Sequence, residues 1–274
     1  MPDFSPGLYV VATPIGNLQD LSPRARALLA AASIVAAEDT RTSGKLLDLA
    51  GSHARRVSLT EHNVESRAPD LIEAAKTAPV ALVSDAGTPV VADPGARLIA
   101  AAHQAGIPVF AIPGPSALVA ALSVSGFEGS DVHFLGFLPR QRSERLSRLR
   151  SAAADASVLV FFESPNRIAA TLQELAAELG NPLVTVCREL TKLHEEVVHG
   201  PASDVATRLH SLKGEFTVVV QSPPKEAASE DDIRAYLGEM QRAGARRSSA
   251  AAEAARRFGI ERQRAYALWP GEPA

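Results

Sequence analysis

The stretch Val80-Ala81-Leu82-Val83-Ser84-Asp85-Ala86-Gly87-Thr88-Pro89 joins a short apolar run to a loop of small and polar residues. A continuous apolar run is typical of a β-strand that is buried on both faces, as strands of parallel sheets are. Asp93-Pro94-Gly95 follows, with a residue suited to cap a helix and a proline suited to its first turn. The sequence therefore predicts a strand, a loop and a helix, with the loop at a strand end where parallel α/β sheets bind ligands.

The same alternation of strand and helix patterns runs through the first 112 residues. Strands are predicted at 8–12, 33–37, 55–59, 80–83 and 107–112, and helices at 23–32, 42–50, 66–77 and 94–105. Five such strands predict an α/β domain built on a parallel sheet.

A second set of strand patterns begins after residue 126. Strands are predicted at 132–137, 158–162, 183–187, 194–199 and 216–221, with helices at about 143–154, 165–179 and 201–212. The last two strands suggest a mixed sheet. We therefore predict an N-terminal α/β domain over 1–120, a second α/β domain over 121–222, and a linker with a small helix-turn-helix-like domain over 223–274.

Two further glycine- and proline-containing loops follow predicted parallel strands, Thr13-Pro14-Ile15-Gly16-Asn17 and Pro113-Gly114-Pro115-Ser116. Each is open to interpretation as a tight turn, but three such loops at one sheet edge favour a ligand site. Neither the dinucleotide fingerprint nor the phosphate-loop motif occurs in the sequence. These absences weigh against NAD and nucleoside triphosphates as ligands.

Net charge, cysteine content and short motifs limit the classes of function that the sequence allows. A net charge of -3 provides no global basic field for nucleic acid, so such binding requires local patches. The single cysteine, Cys187, lies in an apolar run and is predicted to be a core residue. His194 and His199 are five residues apart and do not fit a zinc-protease helix, so no metal site is predicted. The N-terminus lacks a signal-peptide pattern and no apolar run is long enough to span a membrane, which predicts a cytoplasmic protein.

Two clusters of arginine provide local positive charge. The first contains Arg140, Arg142, Arg145, Arg148 and Arg150 with a single acid, and the second lies in the C-terminal tail. Such runs are usually solvated helix faces, but an excess of one sign favours phosphate contact. The predicted RNA-binding residues are Arg140, Arg142, Arg145, Arg148, Arg246, Arg247, Arg256 and Arg257.

Several of these stretches together resemble a known family. They are Thr13-Pro14-Ile15-Gly16-Asn17-Leu18, Ala37-Glu38-Asp39-Thr40-Arg41, residues 84–89, Asp93-Pro94-Gly95, Pro113-Gly114-Pro115, Phe162-Glu163-Ser164 and Arg188-Glu189-Leu190-Thr191-Lys192. The set, which spans residues 8 to about 222, resembles the ribosomal RNA small subunit methyltransferase I family of the tetrapyrrole (corrin/porphyrin) methylase superfamily. Two loops depart from the superfamily's usual patterns. Thr13-Pro14-Ile15-Gly16 stands where a glycine-rich loop is usual, and Ser84-Asp85-Ala86 stands where Gly-Asp-Pro is usual. These departures favour the RNA branch over a corrin substrate.

The resemblance implies methyl transfer from S-adenosyl-L-methionine to the 2'-hydroxyl of a cytidine in small-subunit (16S) ribosomal RNA. It also implies a homodimer of chains with two α/β domains and the cofactor between those domains. By position, it assigns cofactor contacts to Pro14, Ile15, Gly16, Asp85, Gly87, Thr88, Ser116, Ala117, Phe162 and Leu190.

Polar groups near the acceptor are predicted at Asp39, Arg41 and Glu163. Arg41 would contact phosphate or ribose and a carboxylate would accept the hydroxyl proton, although each residue also fits a structural ion pair. Two other functions stay open at this point. One is methylation of a tetrapyrrole or other small molecule, and the other is ribosome binding without turnover.

Overall fold

The computed structural model describes residues 4–223 and 229–270, which form two compact units. The first unit contains two α/β halves, each built on a five-stranded sheet, and the second unit is helical. The predicted fold class is therefore confirmed. The predicted domain division near residue 120 lies inside a helix that joins the two halves, so that boundary stays a prediction.

The first sheet is entirely parallel. Its strands are β1 (Gly7–Val11), β2 (Ile34–Ala37), β3 (Arg55–Ser58), β4 (Pro79–Val83) and β5 (Val109–Ile112), in the order β3-β2-β4-β1-β5. The central strands β1, β2 and β4 are apolar along their whole length because both of their faces are covered.

Helices cover both faces of this sheet. They are α1 (Pro23–Ala31), α2 (Thr42–Ala50), α3 (Val64–Ala75) and α4 (Ala96–Gln104), with a 3-10 turn at Leu18–Asp20. Leu28 and Leu47 pack with Val35 on one face, and Leu71 and Leu98 pack with Ala36 on the other. All four helices therefore run back over the sheet, and the ends of the strands that carry the predicted ligand loops stay open.

The second sheet is mixed. Its strands are β6 (Val132–Phe137), β7 (Val158–Glu163), β8 (Leu183–Arg188), β9 (Glu196–Pro201) and β10 (Phe216–Gln221), in the order β6-β7-β10-β8-β9. Only β6 and β7 pair in parallel, while β10 runs antiparallel to both β7 and β8. The beginning of β10 therefore lies beside the ends of β7 and β8.

Helices α6 (Arg142–Asp155), α7 (Ile168–Glu178) and α8 (Ala202–Arg208) pack on one face of the second sheet around the fully buried Phe161. Helix α5 (Ala117–Ser125) covers the other face, where Ala121 packs with Val160 and Val219. This helix starts at the last loop of the first sheet, so it carries the chain from one half to the other.

The helical unit consists of α9 (Glu230–Arg242), α10 (Arg247–Phe258) and α11 (Arg262–Ala267). A reciprocal capping box between Ser229 and Asp232 starts α9, and Gly259 in a left-handed conformation ends α10. Ile233, Leu237 and Ala254 are buried in its small core.

Two predicted helix starts are wrong. Helix α4 begins at Ala96 with Gly95 as its N-cap, and α7 begins at Ile168 with Arg167 as its N-cap. Asp93 therefore does not cap α4, and neither helix start has a side-chain cap hydrogen bond. Residues 84–95 instead form a longer irregular loop, which brings Asp93 to the edge of the sheet. Within the described ranges, no helix is long and apolar enough to cross a membrane.

Candidate active site

Hydrogen bonds join the three predicted loops of the first sheet. The backbone N–H of Thr13 donates to the carbonyl of Gly87 at 2.8 Å, and the N–H of Gly87 donates to the carbonyl of Thr13 at 3.0 Å. The Thr88 hydroxyl donates to the carbonyl of Pro115 at 3.3 Å. These bonds hold the loops after β1, β4 and β5 as one surface.

Gly87 has a φ of 76°, a left-handed conformation that costs little only for glycine. A Cβ added there would also lie 3.3 Å from the Ile15 side chain. The joined loops thus depend on glycine at this position both for the backbone angle and for the approach of Ile15.

The loops form one wall of a cleft of about 380 Å³, within the usual size of a small-molecule site. The second sheet supplies the other wall from the ends of β6, β7 and β8 and the start of β10. Phe137 and Phe162 lie in contact there with ring centroids 5.5 Å apart, and Leu190 follows β8. We call the wall from the loops the polar wall because it carries Asp85, Thr88, Asp93 and Ser116, and the opposite wall the apolar wall because it carries the two phenylalanines and Leu190.

Most of the predicted cofactor residues line this cleft. They are Ile15, Asp85, Gly87, Thr88, Ser116, Ala117, Phe162 and Leu190. Pro14 and Gly16 lie in the first loop outside this lining. Their assignment as cofactor contacts stays a prediction.

Gly16 makes a different contact. A Cβ added to it would lie 2.9 Å from the carbonyl oxygen of Leu190 and would overlap the side chain of Lys192. The first loop thus packs directly against the segment after β8. Because Leu190 lines the cleft, Gly16 sets how closely the two walls approach each other.

Glu163 lies at the cleft, but its carboxylate is fully engaged. One oxygen accepts from the N–H of Ser164 at 2.7 Å and pairs with Arg167 at 2.7 Å, while the other accepts from the Thr171 hydroxyl at 2.8 Å. Its side chain has no exposed surface. The geometry therefore favours the structural ion pair, which was one of the two interpretations of this residue.

Asp39 and Arg41 lie together at the end of β2 and outside the residues that line the cleft. They form a salt bridge of 3.3 Å in which the Arg41 side chain is 92% exposed. Hydrogen bonds from Arg41 lower the pKa of Asp39. The backbone N–H of Asp39 donates to the carboxylate of Asp85, a residue of the cleft lining, at 3.2 Å.

Acidic groups gather where the loops after β2 and β4 meet. Burial, with a smaller contribution from the nearby carboxylates of Glu38 and Asp85, raises the pKa of Asp93 to about 6 against the lowering effect of a hydrogen bond with Ser84. Partial desolvation, together with Asp85 and Glu61, also raises the pKa of Glu38. This part of the cleft is thus an electronegative environment.

The sequence patterns missed some residues of the cleft. The Asp93-Pro94 pair predicts a helix cap, although the place of Asp93 after a strand and a loop is also a signal for a site residue. Phe137 and the segment 214–217 gave no local signal, because only the pairing of β6 and β10 with β7 brings them to the cleft.

Cys187 is confirmed as a core residue. It is 1% exposed, and burial raises the pKa of its thiol to about 12, with the Glu195 carboxylate contributing. A thiol of such high pKa is a poor nucleophile at neutral pH. No group of three or more metal-binding side chains occurs in residues 4–223 or 229–270.

The arginines after β6 have different surroundings. Arg145 is 6% exposed and bonds to Glu174 at 2.7 and 2.8 Å, holding α6 against α7. Arg142 also pairs with Glu174, and Arg148 donates to the carbonyl of Leu135. Arg140 is exposed and forms no salt bridge with the described residues. This last residue is thus the most available to a partner.

The helical unit keeps its four predicted RNA-binding arginines on its surface. Arg247 lies 4.1 Å from the ring centre of Tyr266, and Arg257 lies 4.8 Å from that of Tyr236. Arg256 pairs with Glu253, and Arg246 precedes α10. All four side chains belong to exposed residues.

A family model of tetrapyrrole (corrin/porphyrin) methylases matches residues 7–206, which include the first sheet, four of the five strands of the second sheet and all of the cleft lining except residues 214–217. The chain belongs to the tetrapyrrole methylase family. A ribosomal RNA small subunit methyltransferase I from Mesorhizobium japonicum is 44% identical over 268 residues, covering 96% of this chain and 91% of its own. The enzyme of the same name from Micromonospora olivasterospora is 44% identical over 228 residues, covering 82% and 73%.

Several solved structures share the fold of this chain. Diphthine synthase matches with a TM-score of 0.61 at 18% identity, covering 78% of this chain and 90% of its own. Uroporphyrin-III C-methyltransferase from Thermus thermophilus, complexed with S-adenosyl homocysteine, matches with a TM-score of 0.55 at 20% identity, covering 78% and 96%. At these identities the likeness concerns the fold alone.

The contact at Gly16 predicts that Gly16→Ala destabilises the fold by about 1–3 kcal/mol, because a backbone carbonyl must move to admit the methyl group. Urea denaturation measures this loss. Gly129→Ala is the matched control, since its Cβ would meet nothing closer than 3.4 Å. Equal unfolding midpoints for the two variants would show that the walls do not depend on this contact.

The raised pKa of Asp93 predicts a pH-dependent stability. The folded pKa of about 6 exceeds the ordinary value of 3.8, so the folded state binds more protons between these pH values. Well below pH 3.8 Asp93 is protonated in both states and does not lower the free energy of unfolding. As the pH rises from 3.8 through 6, the free energy of unfolding of the wild type falls relative to that of Asp93→Asn. Allowing for solvent screening of a partly exposed carboxylate, we expect a relative loss of about 1–2 kcal/mol in urea denaturation. A constant difference between the two proteins from pH 4 to 7 would contradict this.

Proposed function

We propose that the protein is an S-adenosyl-L-methionine-dependent methyltransferase that modifies the 2'-hydroxyl of a cytidine in small-subunit (16S) ribosomal RNA. The observation that carries this proposal is the 44% identity to a ribosomal RNA small subunit methyltransferase I over 96% of the chain, with the helical unit included. The cleft provides the site at which such chemistry would occur.

The cleft suits the methyl donor. Ile15, Phe162 and Leu190 offer apolar surface for an adenine ring, while Asp85, Thr88 and Ser116 offer groups that exchange hydrogen bonds with a ribose and an amino acid. When bound, S-adenosyl-L-methionine supplies an activated methyl group. The acidic groups Asp85 and Asp93 favour a positively charged ligand over a phosphorylated one.

The chain's own residues would hold the donor and the acceptor in a fixed orientation. The joined loops fix the polar wall, and the Glu163–Arg167–Thr171 cluster fixes the turn after β7 beside Phe162. Holding two reactants in line between rigid walls accounts for much of the acceleration that a transfer from an activated donor requires. A metal ion or a covalent intermediate is not required by this chemistry.

The RNA contacts proposed here are exposed arginines. Arg140 lies just before α6, and Arg246, Arg247, Arg256 and Arg257 lie on the helical unit. Arg247 and Arg257 are stacked on tyrosine rings, which orders their guanidinium groups before a phosphate binds. Arg145 is left out because its guanidinium is buried against Glu174. Arg41, 92% exposed at the end of β2, is proposed as a further ribose or phosphate contact.

Three further proposals follow from the family resemblance. The chain would form a homodimer, and the exposed Val119 and Val124 on α5 and Phe110 on the edge strand β5 offer apolar surface for it. Sedimentation equilibrium measures this oligomeric state.

The chain would act in the cytoplasm on the small ribosomal subunit, and its two α/β halves would behave as domains divided near residue 120.

Methylation of a tetrapyrrole is the less favoured alternative. The family name and the Thermus thermophilus structure allow it, but the relatives with 44% identity carry the ribosomal RNA name. The two substrates are distinguished by whether the helical unit and the exposed arginines are needed for turnover.

The direct test is transfer of labelled methyl from S-adenosyl-L-methionine to small ribosomal subunits that lack modifications. We expect label in the RNA and resistance to alkaline cleavage at one cytidine, because a 2'-O-methyl group removes the attacking hydroxyl. Asp85→Ala should abolish the label by removing a cofactor contact. Cofactor binding without labelled RNA would exclude the proposed substrate.

The exposed arginines predict a change in salt dependence. Arg140→Gln, Arg246→Gln and Arg256→Gln combined should weaken binding to small subunits and lower the slope of log K against log salt by about 0.7–0.9 for each phosphate that is no longer neutralised. Arg26→Gln, an exposed arginine on α1, is the matched control and should leave the slope unchanged. Equal slopes for the triple variant and the control would refute these interactions.

A further inference from the structure

Phe137 is a residue of the cleft to which the proposed function gives no role of its own. It lies on the apolar wall and is 58% exposed, more than any other aromatic residue in the described part of the chain. Phe162 and Leu190, on the same wall, are less exposed. Leaving a large apolar ring in water gives up part of the free energy that its burial would provide. An exposed ring in the lining of a cleft is therefore a candidate for contact with a ligand.

A β-bulge in β6 brings this ring to the cleft. Phe134 pairs with Val160 of β7 and Phe137 pairs with Phe162, so three steps along β6 correspond to two steps along β7. In a regular strand, residues three apart lie on opposite faces of the sheet. The additional residue returns the two phenylalanines of β6 to the same face. Both rings accordingly contact Phe162, with centroid distances of 5.1 and 5.5 Å.

Gly136 makes the bulge possible. Its φ of 61° lies in the left-handed region, and a Cβ added to it would meet nothing within 4 Å. Glycine is therefore needed at this position for the backbone angle and not for space. Bulges are frequent beside active sites, where they change the direction of a side chain.

Two arginines of the scaffold hold the loop 138–140, which follows the ring. Arg145 donates to two carbonyl oxygens of this loop at 3.0 and 3.1 Å, and Arg167 donates to two at 3.2 Å. Both guanidinium groups are also paired with buried carboxylates, those of Glu174 and Glu163. The backbone beside the ring is thus fixed before any ligand binds, which lowers the entropy cost of binding.

Arg140 lies three residues after Phe137, is exposed and forms no salt bridge with the described residues. An exposed ring and an available guanidinium on one short loop match the two parts of a nucleotide, a flat base and a phosphate. S-adenosyl-L-methionine has no phosphate and carries a positive charge on its sulfur, so a guanidinium would not attract it. The combination favours the acceptor RNA over the methyl donor as the ligand of Phe137.

We propose, on the basis of the proposed function, that Phe137 stacks on the base of the acceptor nucleotide and holds its ribose toward the methyl donor. The acceptor base enters the cleft unpaired, because a base inside an RNA helix has no free face for an aromatic side chain. Arg140 contacts a neighbouring phosphate. Every base has a flat face, so the ring orients the nucleotide without selecting cytosine.

The first test is methyl transfer at saturating S-adenosyl-L-methionine with the concentration of unmodified small subunits varied. Phe137→Ala should lower kcat/KM for the subunits about 10–100-fold, as expected for one lost stacking interaction. Phe137→Leu keeps apolar volume without a flat ring and should lose nearly as much, whereas Phe137→Tyr should stay within a few-fold of wild type. Cofactor affinity, measured by calorimetry, should stay within a few-fold of wild type in all three variants.

Leu183→Ala is the matched control for these variants. It removes an exposed apolar side chain at the start of β8, outside the cleft lining, and should leave kcat/KM unchanged. A loss in this control equal to that of Phe137→Ala would show that any exposed apolar side chain of the second sheet has the same effect, which would overturn the specific role of the ring.

The bulge is tested by a pair of variants at Gly136. A β-branched residue is strained at a φ of 61°, whereas asparagine adopts this angle more readily. Gly136→Val should therefore lower kcat/KM as Phe137→Ala does, and Gly136→Asn should keep most of the activity. Urea denaturation of both variants identifies a general loss of folding. Folded variants with equal activity would show that the bulge does not position Phe137.

Phe137→Trp provides a measurement that does not depend on turnover. Stacking on a base quenches tryptophan emission, so unmodified small subunits should quench this variant more than the wild type, whose single tryptophan is Trp269. S-adenosyl-L-methionine alone should leave the emission of the variant unchanged. Quenching by the cofactor alone would assign the ring to the donor and overturn the proposal.

The outcomes separate the two proposals. A wild-type protein that labels no RNA defeats the proposed function. A wild-type protein that labels RNA while Phe137→Leu keeps its kcat/KM defeats only the role of Phe137. A loss of cofactor affinity in Phe137→Ala as large as its loss of kcat/KM would also overturn stacking on the acceptor base.

Discussion

The pair of backbone hydrogen bonds between Thr13 and Gly87 is the constraint on which the cleft depends. Loops after parallel strands leave the sheet independently, and nothing in the sheet itself fixes their relative positions. The two bonds, at 2.8 and 3.0 Å, turn the loops after β1 and β4 into a short antiparallel bridge. Thr13 is 1% exposed, so this bridge is shielded from competing water. Ile15 and Asp85, on either side of it, thereby face the same cleft.

Opposite charges are paired in the scaffold, whereas like charges lie close together at the cleft. In the second half, arginine and glutamate meet in buried or half-buried pairs such as Arg145–Glu174 and Arg188–Glu196. A buried charge without a partner would be costly, so these pairs fix helices and strands relative to one another. At the cleft, neighbouring carboxylates instead add to the effect of burial in raising the pKa of Asp93. That arrangement costs stability, which is typical of a site kept for chemistry.

The two walls of the cleft are also held by different means. The polar wall consists of loops joined by backbone bonds, whereas the apolar wall consists of strand ends whose positions follow from sheet pairing. Gly16 is where they touch, against Leu190 and Lys192. Backbone angles with positive φ lie on both sides, at Val90 and Ala92 and at Glu189 and Thr191. The fold is shared with solved structures at about 20% identity, and such a division accounts for this because backbone bonding and strand pairing tolerate changes of side chain.

Local sequence patterns are enough to predict the alternating strands and helices, the two sheets, the ligand loops and the core position of Cys187. Apolar periodicity and turn residues act locally, and the motifs that carry the family resemblance are short and continuous. Which charged side chains are available depends instead on how the elements pack. Arg145 and Arg140 look alike in the sequence, but one is buried against Glu174 on a distant helix and the other is exposed. Glu163 at the end of β7 and Asp93 in the loop after β4 both line the cleft, but the carboxylate of Glu163 is bonded to Thr171 and Arg167, whereas Asp93 has no salt bridge with the described residues. The availability of a charge depends on partners brought together by packing, and no local pattern records those partners.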